Sequence, residues 1–256
     1  MSRSTWFLGA ACVEQHLPNS INGEVVSSNV LEIKSLDLRL EQRDWTFATQ
    51  RRQDIDAHWR EIASRNSALW NGRILMCQKC DVVNHRLIGR FFETDFASFV
   101  AWRDWGWPDR SIYNCFGSAA ILSNDGAVLM GRMSAHTLNA GWIYPPGGSL
   151  EPRDLREDGE IDLLGSISKE LEEETGLKVE DAELADLIAV SDGQRLSVAQ
   201  GLKFAMDAKQ INETAEQHWQ TQQYPELDGL IVLRTPGQID QTMPAYAQEI
   251  ARYFLT

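Results

Sequence analysis

The chain has 256 residues, 43% of them apolar and 9% aromatic, a globular composition long enough for one or two domains. Lys and Arg number 24 against 37 Asp and Glu, and the resulting charge of −13 repels nucleic-acid backbones and anionic membranes. No stretch approaches the roughly 18 apolar residues of a membrane span, and Met1 to Cys12 is too short an apolar run for a signal peptide, so a soluble, cytoplasmic protein is expected.

In chain order, Leu36, Leu38 and Leu40 alternate with Asp37, Arg39 and Glu41, which predicts a half-buried strand. Ile55, Trp59 and Ile62 recur at helical spacing in the polar stretch from Arg51 to Asn66. Asn71-Gly72 predicts a turn, and Arg73 to Cys77 a strand. That strand runs into Cys77-Gln-Lys-Cys80, two of the four cysteines with Cys12 and Cys115. No second ligand pair completes a zinc site, so the thiols read as buried and structural. Thr94 or Asp95 can cap a helix carrying Phe96, Phe99, Val100 and Arg103, which Gly106 and Pro108 end. The boundary between an N-terminal domain, 1–108, and a second domain, 109–256, is placed there. Trp102, Trp105 and Trp107, clustered before it, either stack bases or pack the junction, and packing is the commoner role of tryptophan.

The second domain opens with strands over Cys115 to Leu122 and Ala127 to Met130, joined by the hairpin signal Asp125-Gly126. Trp142 to Tyr144 leads into Pro145-Pro-Gly-Gly148, and a helix is expected over Leu163 to Thr175. Strand-like runs follow at Leu187 to Val190 and Leu230 to Leu233, then a final amphipathic helix over Met243 to Leu255.

Chemistry concentrates between Gly147 and Val190, where 14 acidic residues meet 4 basic ones, an excess of −10. On the expected helix Leu164, Ile167 and Leu171 make an apolar stripe, while Glu170, Glu173 and Glu174 project together at i, i+3 and i+4. Three carboxylates so close repel one another, and near a helix C-terminus they oppose the macrodipole. Hard divalent cations offset both effects, since Mg²⁺ and Mn²⁺ take carboxylate oxygens and keep water and phosphate as other ligands. Gly176 suits a left-handed cap, and Leu177 can fold back onto the stripe.

The run Glu170-Leu171-x-Glu173-Glu174-x-Gly176-Leu177, preceded by Gly147-Gly148, resembles the C-terminal half of the Nudix hydrolase signature, Gly-x5-Glu-x7-Arg-Glu-U-x-Glu-Glu-x-Gly-U, where U is a bulky aliphatic residue. Two departures stand out. Lys169 occupies the place of the family's Arg, losing its planar fork. The preceding loop is also stretched: with Glu160 as the family's first Glu and Asp162 as its competitor, Ser149 to Asp158 becomes an insertion forming a flap near the site.

The resemblance implies an α+β fold, a Nudix α/β/α sandwich with a mixed sheet, here behind a smaller α+β N-terminal domain for substrate selection or dimerisation. It implies a metal-dependent pyrophosphohydrolase that splits a nucleoside diphosphate linked to X into a nucleotide and phospho-X. The metal, Mg²⁺ or Mn²⁺, would sit on Glu170, Glu173, Glu174 and the Gly148 backbone, with Lys169 beside them in the catalytic set. Substrate contacts would come from Gly147, Gly148, Arg132 and Arg195, with Lys203 a further phosphate candidate. A later acid (Glu216, Glu226 or Asp228) could join as ligand or base. Leu69-Trp-Asn-Gly72 and Glu93-Thr-Asp95 are loosely similar to the branch that cleaves UDP-glucose and UDP-galactose; ADP-ribose, dinucleoside polyphosphates, NADH and coenzyme A derivatives are the other options for X. A catalytically weak, nucleotide-sensing module is the alternative, favoured by Lys169 and the long loop.

Overall fold

In the computed structural model of the protein, residues 20–21, 24–25, 29–66 and 69–255 are described. Cys12 and the reading of Met1 to Cys12 lie outside them. The elements run β1 (Ser20–Ile21), β2 (Glu24–Val25), β3 (Val30–Ile33), β4 (Ser35–Leu40), α1 (Thr46–Gln50), α2 (Arg52–Arg65), β5 (Arg73–Val83), β6 (Arg86–Asp95) and α3 (Phe96–Asp104) in the first part. In the second come β7 (Asn114–Leu122), β8 (Val128–Met133), β9 (Ile143–Tyr144), α4 (Leu163–Thr175), β10 (Ala182–Asp192), β11 (Arg195–Phe204), α5 (Ala208–Trp219), β12 (Leu227–Leu233) and α6 (Ala245–Phe254). The α+β class expected from the sequence is what the chain adopts.

The larger sheet has seven strands in the order β12-β8-β7-β11-β10-β3, with β9 paired to β8. It is mixed, because β7 and β11 run parallel while the other pairs are antiparallel. One face is covered by α4 and α5, through Leu163, Ile167, Leu171, Ile211 and Ala215; the other by α6, through Tyr246, Ala247, Ile250 and Ala251. The result is a three-layer sandwich. Edge strand β3 comes from the first 108 residues: Val30–Ile33 pairs antiparallel with Leu187 to Val190.

The smaller sheet, β4-β6-β5, is also mixed, and α2 and α3 pack on it around Ile55, Phe92, Phe99, Val100 and Trp102. Asp95 is the helix cap: its carboxylate accepts from the Ser98 amide at 2.9 Å and from Arg52 at 2.7 Å, tying α2 to α3. Trp102 is wholly buried, and its indole donates to the Asp109 carbonyl at 2.9 Å. Packing is therefore the role of that tryptophan. Cys77 and Cys115 are buried, Cys80 is half-buried, and all three are free thiols; burial pushes the Cys77 thiol well up, which makes it inert.

Candidate active site

The helix that carries the glutamates is built as the spacing predicts at its ends and differently along its flank. Asp162 caps α4 by accepting from the Gly165 amide at 3.0 Å, and Gly176 ends it in the left-handed region at φ = 72°. A side chain on Gly176 would also strike His218, whose Cβ stands 2.9 Å from where a Cβ would be. The buried stripe, however, is Leu163, Ile167, Leu171 and Glu174, while Leu164 is 47% exposed. This corrects the expected stripe and moves Glu174 onto the inward face, three residues after Leu171.

Glu174 is 5% exposed, and its Oε2 has no hydrogen-bond partner among the described residues. Burial drives its carboxyl well above the usual range, with Glu226 and Glu170 adding to the effect and the Gly147 amide opposing it. Glu170 lies beside it, largely buried, and burial pushes its carboxyl up to about 7; Lys169 and Arg153 oppose the shift while Glu173 and Glu226 support it. Glu173 is the outer member at 53% exposure, with Arg153 at 3.6 Å. The last-turn carbonyls of α4, which a helix end leaves unpaired, are taken by side chains from α5 and its exit: His218 and Gln222 on Glu173 at 3.0 and 2.8 Å, and Trp219 on Glu174 at 2.7 Å. That clamp fixes the two glutamates' backbones from behind.

Gly147 and Gly148 meet this group from the loop after β9. A Cβ on Gly147 would lie 2.3 Å from the Gly117 carbonyl oxygen, so only glycine lets the loop cross β7 there. A Cβ on Gly148 would fall 2.7 Å from the Glu170 carboxyl carbon, in space the carboxylate uses.

Lys169 and the stretched loop resolve together. Lys169 Nζ donates to Asp154 Oδ1 at 2.7 Å, and the Asp154 side chain is 5% exposed. Asp154 stands six residues after Gly148, the Gly-x5 spacing of the signature quoted above. Glu160, the residue expected as the signature's first Glu, pairs with Arg156 at 3.7 Å and its backbone bridges to Arg39, while its competitor Asp162 is the helix cap. The extra residues thus begin after Asp154, and they do not form a flap over the site. Leu155 bridges to Ile161, the Leu40 amide donates to the Gly159 carbonyl, and the Ile161 amide to that of Leu38, which lays the segment along β4. The sequence signal for Asp154 was the intact Gly-x5 spacing; a shortened acid facing a shortened reach (Asp for Glu, Lys for Arg) hid it.

A cleft of about 850 Å³ opens at the glutamates and is lined by Gly147, Gly148, Glu174 and Glu226 at that end. Of the three downstream acids, Glu226 is the one on the cleft. It is open to solvent at the mouth, and crowding by the surrounding protein together with Glu173 raises its carboxyl, with His136 opposing. Asp228 instead pairs with Arg132 at 2.6 Å and neither lines the cleft, and Glu216 and Lys203 are exposed on α5 and β11. Arg195 does line the cleft, held by Asp192 at 3.1 Å. Sequence reasoning missed Phe96, Phe99 and Arg103 of α3 as cleft residues; Trp107, which also lines the cleft, belongs to the tryptophan cluster for which base stacking was one of the two expected roles.

No three His, Cys, Asp or Glu side chains among the described residues form a ready-made cation cage. The donor set still suits a hard cation that keeps most of its ligands as water and phosphate oxygen: a buried carboxylate oxygen without a partner, a second carboxylate pressed beside it, and a glycine backbone open on the same side.

No protein-family model matches the chain, and no curated protein matches it. Solved structures similar to part of it include a MutT protein from Methanosarcina mazei Go1, at 19% identity and TM-score 0.37, covering 56% of this chain and 92% of that one. The Nudix domain of Shewanella oneidensis NrtR, complexed with ADP ribose, shows 18% identity and TM-score 0.37 over 56% of this chain and 89% of its own. A bifunctional NMN adenylyltransferase/ADP ribose pyrophosphatase from Francisella tularensis shows 18% identity and TM-score 0.36, covering 59% of this chain and 43% of that one. Likeness at this level leaves function to be decided by the residues themselves.

Proposed function

We propose that this protein is a Nudix-type hydrolase dependent on Mg²⁺ or Mn²⁺, which splits the pyrophosphate bond of a nucleoside diphosphate linked to a second group, such as a nucleotide sugar of the UDP-glucose kind or ADP-ribose. The observation that carries this reading is Glu174: a buried carboxylate with an unpartnered oxygen, crowded by Glu170 and Glu226 at the head of an 850 Å³ cleft. Leaving such a group unsatisfied costs about 1–3 kcal/mol, which a purely structural helix would shed by carrying an apolar residue there.

Glu170, Glu173, Glu174 and the Gly148 backbone would hold the cation, which when bound polarises phosphoryl oxygen and acidifies water. Glu226, exposed at the cleft mouth and with its carboxyl raised above the usual range, takes the proton of the attacking water as its oxygen bonds to phosphorus. The bridging P–O bond breaks, and nucleotide and phospho-X leave. Lys169, closed on Asp154, acts as a positioning residue that anchors the turn bearing Glu170. With Asp154 at 2.7 Å as its partner, Lys169 keeps a structural task in place of the signature's Arg, so its presence alone does not favour the sensing module.

A panel of UDP-glucose, ADP-ribose, dinucleoside polyphosphates and NADH with Mg²⁺ or Mn²⁺ tests the proposal. Nucleotide release that disappears in Glu173→Gln and Glu174→Gln is expected. No turnover of any substrate, together with no divalent binding by calorimetry, would overturn it.

A further inference from the structure

The cleft extends well past the carboxylates: Tyr144 and Tyr246 line it with ring centres 6.4 Å apart, and Phe96, Phe99, Trp107, Arg103 and Arg195 line it too. Arg103 lies 6.0 Å from the centre of the Phe99 ring and Arg195 5.8 Å from that of Trp107. Each is held from behind by an acid, Arg103 by Asp104 at 2.8 Å and Arg195 by Asp192 at 3.1 Å.

Trp107 has a backbone unlike that of an ordinary packing residue. Its φ is 61°, in the left-handed region that bulky L-residues avoid, and it follows Gly106 at φ = 77°. Its amide donates to the Trp102 carbonyl at 2.9 Å, and its ring stands edge-on to Trp102 at 4.4 Å. A half-exposed indole held in a strained conformation on a cleft wall is a feature typical of ligand-facing positions.

We propose that Phe96, Phe99 and Trp107, with Arg103 and Arg195, form the seat of the substrate's planar nucleobase, so that base selection is the work of the N-terminal residues. The inference rests on the hydrolase reading for the identity of the ligand. An aromatic wall offers π-faces to a flat ring, whereas a hydroxyl-covered sugar needs a dense set of polar partners. Guanidinium groups only donate, which matches carbonyl and ring-nitrogen acceptors on base edges. A base seated here leaves the ribose and phosphates to pass Tyr144 and Tyr246 towards Glu174.

Two measurements on the full chain separate this inference from the hydrolase reading. Calorimetry with AMP, UMP, GMP and CMP, without metal, reads the seat alone; steady-state hydrolysis with Mg²⁺ reads the catalytic end. At least one monophosphate should bind. Trp107→Leu should weaken it about tenfold, Trp107→Phe should restore most of it, and ribose 5-phosphate, which lacks a base, should bind both proteins alike. In hydrolysis KM should rise by a similar factor while kcat stays near that of the parent protein. Trp107→Gly, suited to the left-handed backbone, serves if the leucine variant fails to fold. Binding that is unchanged in the Trp107 variants, or absent for all four nucleotides, overturns the inference whatever the hydrolysis shows. Binding that depends on Trp107 in a protein that neither turns over any substrate nor binds a divalent cation supports the seat and overturns the hydrolase.

Discussion

In metal-free protein, Glu170→Gln should stabilise the fold at pH 8 and leave it unchanged near pH 4.5. Burial pushes the Glu170 carboxyl from the usual 4.5 up to about 7. A carboxyl that holds its proton more tightly when folded contributes stability that is complete below the unfolded value and is lost as pH rises through 7. At about 1.4 kcal/mol per pH unit, that span makes about 3 kcal/mol. Glutamine fills the same space without a charge and does not titrate, so the variant keeps what the parent protein loses. With about 2–4 °C per kcal/mol for a domain of this size, the melting-temperature gap at pH 8 is about 6–12 °C. Scanning calorimetry of both proteins in EDTA, from pH 4.5 to 8, reads it directly. Mg²⁺ should reverse the order, raising the parent protein and leaving the variant behind. A gap that does not change with pH, or a variant less stable than its parent at pH 8 in EDTA, would refute the reasoning.

Three further outcomes are expected. Lys169→Met strands the buried Asp154 carboxylate and should cost about 3–5 kcal/mol in urea unfolding, whereas the double variant with Asp154→Asn should recover much of that loss; purely additive losses would show the pair is uncoupled. Gly147→Ala drives a methyl into the Gly117 carbonyl oxygen and should cost about 1–3 kcal/mol of stability, while Gly148→Ala meets only the movable Glu170 carboxylate and should keep the fold but weaken Mg²⁺ binding by calorimetry. Glu226→Gln should lower kcat by about 10²- to 10⁴-fold with little change in KM, and a variant with full kcat would remove Glu226 as the base.

The glutamate helix was legible in the sequence because its signals are local: an apolar stripe, three acids and a terminal glycine within a few turns. What the spacing misjudged was phase. Leu163 and Leu164 are adjacent, and a shift of one residue decides whether Glu174 faces water or the interior. Strand β11 went unread because it lies in the middle of the sheet and is buried on both faces, yet carries Ser197 and Gln200, whose groups are satisfied internally by the Ser118 hydroxyl and the Ala185 carbonyl. Helix α5 buries only Ala208, Ile211 and Ala215, too narrow a stripe to show against its polar residues. The far wall of the cleft was hidden for the opposite reason. On α3 six consecutive residues, Ala97 to Trp102, are buried, so periodicity gives no hint of which face meets a ligand.

Between β3 and β4 stands a single residue, Lys34, whose amide donates to the His85 carbonyl at 2.7 Å. One short ribbon of chain therefore supplies the rim of one sheet and, a residue later, a strand of the other. A fragment beginning at residue 109 would leave the Leu187 to Val190 backbone bare along its outer side, an invitation for a second molecule to add a strand there. The two halves are joined like cloth along a seam, and cutting after residue 108 would yield a sticky remnant instead of a freestanding domain.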